Sequence, residues 1–240
     1  MARVTDAVPR TRLAGATWPD LPERPLLLVP LGAVEQHGHH LPLGTDTTVA
    51  CAVAEAAVDD LDGVLLAPAL AYGASGEHED FPGTVSIGTE ALTGLLVEYG
   101  RSACRWAGRL VLVNGHGGNL DALRTAGAQL RAEGRDVAWF PCGAAGADAH
   151  AGRTETSAML HVEPDAVRAD RAVAGETTPI AELLPRLRAE GVRAVSPSGV
   201  LGDPAGASAE EGAELLAGMA GRLTAAVRAW DVDTTGRLRG

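Results

Sequence analysis

Short, wholly apolar runs alternate along this chain with longer amphipathic stretches, and this alternation is the feature that most constrains its fold. Such runs are typical of strands buried on both faces of a parallel sheet, with helices in between that cover those faces. The predicted strands span residues 26–30, 64–68, 110–114 and 137–141. The predicted helices span residues 47–60, 91–107 and 120–133, followed by one that runs from Ser208 towards Trp230. No repeat or linker interrupts the pattern, so we predict one α/β domain with a mostly parallel sheet over residues 1–240.

Local signals mark the ends of several predicted helices. Thr89 and Asn119 are of residue types that cap helices, and Ser208 followed by Glu211 has the form of a capping box. Residues 196–207 are too rich in glycine and proline for regular structure. We predict that this stretch forms one long functional loop.

Charge and hydropathy argue against two classes of partner. The net charge is −11 and the chain contains no lysine, so it lacks the dense basic surface on which nucleic-acid binding depends. No apolar run reaches the roughly 18–20 residues that cross a membrane, and residues 1–20 lack the apolar segment of a signal peptide.

Three widely spaced cysteines are predicted to be free thiols, with a nucleophilic Cys142 as the alternative. We therefore expect a cytoplasmic protein.

Six of the seven histidines fall in segments that follow predicted strands, among glycines and acidic residues. In an open α/β sheet, ligands bind beyond the carboxyl ends of the strands, so this placement favours one shared site. The first cluster contains Glu35, His37 and Asp46. Glu35 and His37 are two residues apart, so an extended backbone points both side chains the same way. Two carboxylates and an imidazole favour a divalent metal, whereas a solvated loop in which Asp46 caps a helix is the alternative.

Two further clusters follow later strands. Between Asn114 and Asn119, glycines allow the backbone to approach a ligand closely and direct His116 towards the sheet edge. Such turns also bind phosphate, but this segment contains no lysine or arginine. His150 and Glu155 form the third cluster, in which Glu155 is predicted to lie in the first turn of a helix. The alternative is that Glu155 merely begins the helix and stabilises its dipole.

A fourth segment, residues 75–85, carries four titratable side chains: Glu77, His78, Glu79 and Asp80. It offers further metal ligands, but the other clusters already supply enough of them. We predict that this segment has a role in the substrate pocket or in the structure.

Three of these motifs together resemble the creatininase family. They are E-x-H-G-x-H-L-P with its later T-D (35–46), N-G-H-G-G-N (114–119) and H-A-G-x-x-E-T-S (150–157), and they occur in the family's order. The likeness continues through G-V-L-G-D-P at residues 199–204 and covers most of the chain. The resemblance implies a single three-layer α/β/α domain, a two-metal centre and a homo-oligomer, usually a hexamer.

The resemblance also implies which residues bind two divalent ions of zinc, iron or manganese. The implied ligands are Glu35, Asp46 and His116 for one ion, and His37, Asp46 and an acid for the other, with Asp46 as the bridge. Enzymes of the family that hydrolyse creatinine have a glutamate at the position of Gly118. We therefore assign the acid to Glu155 and expect that creatinine is not the substrate. His39 also departs from the family pattern, and His40, which matches its second histidine, is expected to lie behind the ligands.

The activity implied by the resemblance is hydrolysis of an amide bond, with two ions that activate water and polarise the carbonyl group. His150 is our candidate for the acid/base that protonates the leaving amine, and Glu79 is the second candidate. The sequence is most similar to peptide-cleaving members, which implies removal of a modified C-terminal Val-Tyr unit from a short ribosomal precursor peptide. Two alternatives stay open, which are hydrolysis of a small cyclic amide or formamide and a non-catalytic metal-binding role.

Overall fold

The structure, a computed structural model, describes residues 12–239 and contains a four-stranded sheet. Its strands are β1 (Leu26–Leu31), β2 (Val64–Leu66), β3 (Arg109–Asn114) and β4 (Val137–Pro141). Neighbouring strands are parallel, and their order across the sheet is β2-β1-β3-β4. The four predicted strands are confirmed, although β2 ends earlier than expected, at Leu66.

The helices connect the strands and follow them. In the described part of the chain they are α1 (Thr45–Val58), α2 (Thr89–Ala103), α3 (Leu120–Ala132), α4 (Arg153–Val162), α5 (Ile180–Glu190), α6 (Val192–Val195) and α7 (Ala209–Ala229). We did not predict α5 and α6, because Pro185 lies inside α5 and Gly191 separates it from α6, and both residue types argue against a helix. None of the helices within residues 12–239 has the length and apolar character of a membrane span.

Helices cover both faces of the sheet. Successive strand residues point to opposite faces, so Leu27 and Val29 pack against α2 and α3, whereas Leu28 and Val111 pack against α1 and α7. Because both faces are buried, each strand reads in the sequence as a continuous apolar run rather than as an alternation. The fold is therefore the three-layer α/β/α arrangement that the resemblance implied.

The predicted helix caps are confirmed only for α7. The Ser208 hydroxyl accepts a hydrogen bond of 3.2 Å from the backbone N–H of Glu211, as the capping box predicts. The cap predicted at Thr89 is wrong, because Gly88 precedes α2 and Thr89 is already its first residue. Asn119 does occupy the N-cap position of α3, but its side chain makes no capping hydrogen bond and forms tertiary hydrogen bonds instead. Residues 196–207 form the expected loop between α6 and α7.

Helices α4 and α7 cross closely at Gly212. A Cβ atom added at this position would overlap the main-chain oxygen of Ser157 in α4. The contact matters for the site described below, because the first turn of α4 carries Glu155. A glycine at the crossing thus lets the long helix α7 support the helix that carries Glu155, a candidate metal ligand.

We expect Gly212→Ala to destabilise the protein by about 1–3 kcal/mol, because an extra methyl group must push two packed backbones apart. Gly221→Ala, in the exposed part of the same helix, is the matched control. No described atom lies within 4 Å of a Cβ added there, so helix propensity should stabilise this variant by roughly 0.5–1 kcal/mol. Denaturant unfolding measures both changes, and equal stabilisation by the two substitutions would contradict the close crossing.

Candidate metal centre

The five residues that were predicted from the sequence to be metal ligands lie close together beyond the carboxyl ends of the strands. Glu35 and His37 lie in the loop after β1, and Asp46 lies in the first turn of α1. His116 follows β3, and Glu155 lies in the first turn of α4, after β4. Parallel strands deliver their following loops to one edge of the sheet, which explains why residues so distant in sequence come together.

Asp46 lies between the two histidines of this set and is 2% exposed. Its Oδ1 atom is 3.1 Å from Nε2 of His37, and its Oδ2 atom is 3.4 Å from Nδ1 of His116. Each carboxylate oxygen therefore faces a different imidazole. This arrangement is the one expected of a carboxylate that bridges two cations.

The other ring nitrogens of the two histidines indicate their tautomers, as assigned from the hydrogen-bond network. Nδ1 of His37 donates to the main-chain oxygen of Glu35 (3.2 Å), and Nε2 of His116 donates to that of Ala74 (3.1 Å). In the neutral rings the remaining lone pairs then point at the oxygens of Asp46, so each of these contacts requires either a second proton on the ring or a cation. Metal-binding histidines commonly donate their second N–H to a backbone carbonyl in this way, and a cation between the acceptors relieves their repulsion.

Buried carboxylate oxygens in the site also require positive charge. Within the described residues, both oxygens of Glu35 and Oδ2 of Asp46 receive no well-directed hydrogen bond. Although burial favours the neutral rings, Asp46 raises the pKa of His37 to about 10, and Glu35 does the same for His116. Divalent cations would supply this charge, so the residues fit a metal centre.

The donor atoms form compact groups. Two groups, each with atoms within 4.8 Å of one another, are Glu35–Asp46–His116 and His37–Asp46–Glu155. Burial raises the pKa of Glu155 to about 7, although the nearby His37 acts to lower it. Nε2 of His37 lies 3.8 Å from Oε2 of Glu155. These groups correspond to the two ligand sets that the resemblance implied. A third group joins Glu35 and His37 to His150.

His150 is buried beside these groups and is 7% exposed. Its Nε2 donates to the main-chain oxygen of Gln36 (2.8 Å), which leaves Nδ1 directed at Oε1 of Glu35, 3.6 Å away. Burial, together with repulsion from His37 and His78, holds the pKa of His150 well below its ordinary value. The ring is therefore neutral, with a free Nδ1 that can accept a proton or bind an ion.

Gln36 organises the site although we did not single it out from the sequence. Its Nε2 donates to Nδ1 of His78 (2.9 Å) and to the main-chain oxygen of Gly199 (3.0 Å). Nε2 of His78 then carries the proton and lies 3.4 Å from Oε1 of Glu35. The amide thus links the loop after β1 to the loop after β2 and to residues 196–207. The sequence signal that could have identified Gln36 is its position between Glu35 and His37, both of which were predicted to be metal ligands.

Asn119 joins the loops that follow three strands. Its Nδ2 donates to the main-chain oxygen of Gly32 and to Oδ1 of Asn114, both at 3.0 Å. Its Oδ1 accepts a hydrogen bond of 2.9 Å from the backbone N–H of Ala74. These three bonds occupy the oxygen and both N–H groups of the amide, so the side chain makes no capping bond to α3.

Some nominated residues lie elsewhere. Glu79, the second acid/base candidate, is exposed, and in residues 12–239 no hydrogen bond or ion pair joins its carboxylate to the site. His39 is also exposed, whereas the buried His40 donates from Nε2 to Oγ1 of Thr156 (2.9 Å). Burial raises the pKa of Cys142 to about 12, so this thiol is not activated as a nucleophile.

Comparison with known proteins finds relatives along most of the chain. The creatininase family, described as creatinine amidohydrolase, matches residues 14–227. The chain is 56% identical over 220 residues to the mycofactocin precursor peptide peptidase of Mycolicibacterium smegmatis, an alignment that covers 89% of each protein.

Solved structures share the fold. The structure described as "Creatininase Mn" has a TM-score of 0.76 at 29% identity, covering 92% of this chain and 98% of the other. A mutant creatininase described as "Zn-Zn type" has a TM-score of 0.75 at 28% identity, with the same coverage. Proteins of this fold are therefore described with manganese and with zinc.

We predict that Asp46→Ala abolishes metal binding at both histidines, because each of them shares this carboxylate. Asp121→Ala is a suitable control, since Asp121 is an exposed aspartate in the first turn of α3. Metal content after gel filtration, measured by plasma mass spectrometry, gives the result. Retention of a full complement of metal by the Asp46 variant would show that Asp46 is not the bridge.

Proposed function

The chain belongs to the creatininase family and is a hydrolase of carbon–nitrogen bonds, and we propose that its substrate is a small peptide rather than creatinine. More narrowly, we propose that it releases a modified C-terminal Val-Tyr unit from the mycofactocin precursor peptide. The identity of 56% to a peptidase named for that precursor supports this substrate. The observation that carries metal-dependent chemistry is the Asp46 carboxylate, whose two oxygens face two different histidines.

The proposal includes two divalent ions per chain. The residues that would hold them are Glu35, Asp46 and His116 for one ion, and His37, Asp46 and Glu155 for the other. Zinc and manganese are supported by the similar structures, and iron stays a candidate. When bound, paired ions stabilise negative charge on a carbonyl oxygen and lower the pKa of water towards about 7.

His150 is the residue that we propose moves the proton. Because Gln36 holds its Nε2–H, Nδ1 accepts the proton that water loses when it attacks the carbonyl carbon, and the same nitrogen later returns it. The carboxylate of Glu35, 3.6 Å from Nδ1, stabilises the ring while it carries that proton. The proton then passes to the nitrogen of the leaving amine, which departs neutral. Glu79 has no part in this proposal, since its exposed carboxylate lies apart from these groups.

The open side of the site is lined by acids. The Glu77 and Glu155 side chains are 31% and 23% exposed, whereas those of Glu35 and Asp46 are 0% and 2% exposed. Glu155 is an ion ligand in this proposal, so Glu77 is the acid that an entering substrate meets, and its carboxylate disfavours a terminal carboxylate near the cleaved bond. A C-terminal unit that has lost its carboxylate is suited to this entrance. The proposal also includes a single domain over residues 1–240, which the uninterrupted sequence pattern supports. A homo-oligomeric assembly, a hexamer, is proposed on resemblance alone.

The substrate is tested with metal-loaded enzyme and three compounds, namely the modified precursor peptide, the unmodified peptide and creatinine. We expect release of the dipeptide-derived unit from the modified peptide, slower or no cleavage of the unmodified one, and no reaction with creatinine. Mass spectrometry of the products gives the answer. Cleavage of creatinine but of neither peptide would favour a small-amide hydrolase, and metal binding without any cleavage would favour a non-catalytic role.

His150→Ala should retain its metal and lose turnover, because a positioned acid/base contributes typically about 10²–10⁴ in rate. His39→Ala is the control, since His39 lies on the same loop as His37 but is exposed. Metal content and steady-state kinetics are measured on the same preparations. Turnover within a few-fold of wild type would exclude His150 as the proton carrier, and loss of an ion would identify it as a ligand instead.

A further inference from the structure

The carboxylate of Glu77 occupies the space beside the ring of His116. Its Oε1 atom is 3.6 Å from Nε2 of His116. A Cβ atom added at Gly118 would lie 2.5 Å from that Oε1 and would overlap both Nε2 of His116 and the main-chain oxygen of Ala74. The glycine therefore leaves room for the Glu77 carboxylate to approach the imidazole.

Glu77 lies on the edge of the ring that faces away from Asp46. Nδ1 of His116 faces Asp46, whereas Nε2 faces the main-chain oxygen of Ala74 and the carboxylates of Glu35 and Glu77. The N–H at Nε2 is donated to the main-chain oxygen of Ala74, and under the proposed function the charge of Glu35 is shared with an ion. Glu77 is then the carboxylate outside the proposed ligand sets that lies beside this N–H.

The turn that carries Glu77 is held in place from the outside. Glu77 belongs to the short 3-10 helix Gly76–His78, which packs against α5 and α6. Arg193 of α6 donates to the main-chain oxygen of Asp80 (2.6 Å) and stacks over the ring of Phe81. His78, the next residue, is fixed by Gln36. The Glu77 carboxylate is thus directed at His116 by a supported backbone.

We propose that Glu77 is a positioning residue of the metal centre, which acts through His116. Its negative charge beside the N–H at Nε2 strengthens the tautomer that the bond to Ala74 already favours, and it makes the opposite nitrogen a stronger ligand. This inference rests on the proposed function, because it assigns Nδ1 of His116 to an ion. The inference assigns a role to the segment 75–85, in which Glu77 is the acid that faces His116.

The test compares Glu77→Ala and Glu77→Gln with Glu79→Gln, a control two residues away on the exposed side. Affinities for zinc are measured by competition with a chelator, and the cobalt-substituted proteins are compared by their visible absorption spectra. Glu77→Ala should weaken binding of one ion by about 10–100-fold and alter the cobalt spectrum, while the other ion is held as in wild type. Glu77→Gln should lose less, because its amide oxygen keeps a partial negative charge beside Nε2, and Glu79→Gln should match wild type.

Two results would overturn the inference while leaving the proposed function intact. The first is wild-type affinity and an unchanged cobalt spectrum in both Glu77 variants. The second is equal weakening of both ions together with a lower melting temperature of the metal-free protein, which would make Glu77 a support of the fold. A wild-type chain that binds no divalent ion would instead defeat the proposed function, and the inference with it.

Discussion

One buried aspartate that faces the lone pairs of two histidines determines what the surrounding structure must provide. Asp46, His37 and His116 present acceptors to one another, and this arrangement is stable only if positive charge lies between them. The same need raises the pKa of both imidazoles against the effect of burial. A cation satisfies it while both rings stay neutral and keep their N–H bonds to backbone carbonyls. The fold must therefore hold several acids and imidazoles together in a space from which water is largely excluded.

Side-chain amides do much of this holding, because the ligands lie in loops that lack a continuous ladder of backbone hydrogen bonds. Asn119 joins the loops that follow β1, β2 and β3, and Gln36 joins the β1 loop to His78 and to residues 196–207. Both side chains are buried, so their hydrogen bonds are protected from competition by water. Each amide uses donors and an acceptor at once, which fixes neighbouring loops relative to one another. The geometry of the candidate ligands therefore depends on two amide side chains that lie outside the proposed ligand sets.

The sequence predicts the sheet and the ligand candidates for different reasons. The strands are predictable because burial on both faces requires continuous apolar runs, and the ligands are predictable because carboxylates and imidazoles follow those strands. The tertiary use of a side chain is not predictable in the same way. Asn119 suits a helix cap by residue type, and only the approach of Gly32 and Ala74 shows that its amide is needed elsewhere. Glu77 and Glu79 would share a side in an extended segment. The 3-10 turn, with about three residues in each turn, directs them apart.

The metal ligands alone do not determine which amide is hydrolysed, since proteins of one fold differ in the residues around a shared site. Beside His116, Gly118 has no side chain, and the carboxylate of Glu77 fills the space that a side chain at this position would take. A Cβ atom at Gly118 would lie 2.5 Å from the Glu77 carboxylate oxygen, so a side chain at this position and the observed placement of Glu77 exclude one another. The two positions are thus coupled by contact, although they lie on loops after different strands. Because Glu77 is also partly exposed, under the two proposals the same carboxylate would support His116 and contribute to the charge that an incoming substrate meets. Metal binding and substrate selection would then be linked at this residue.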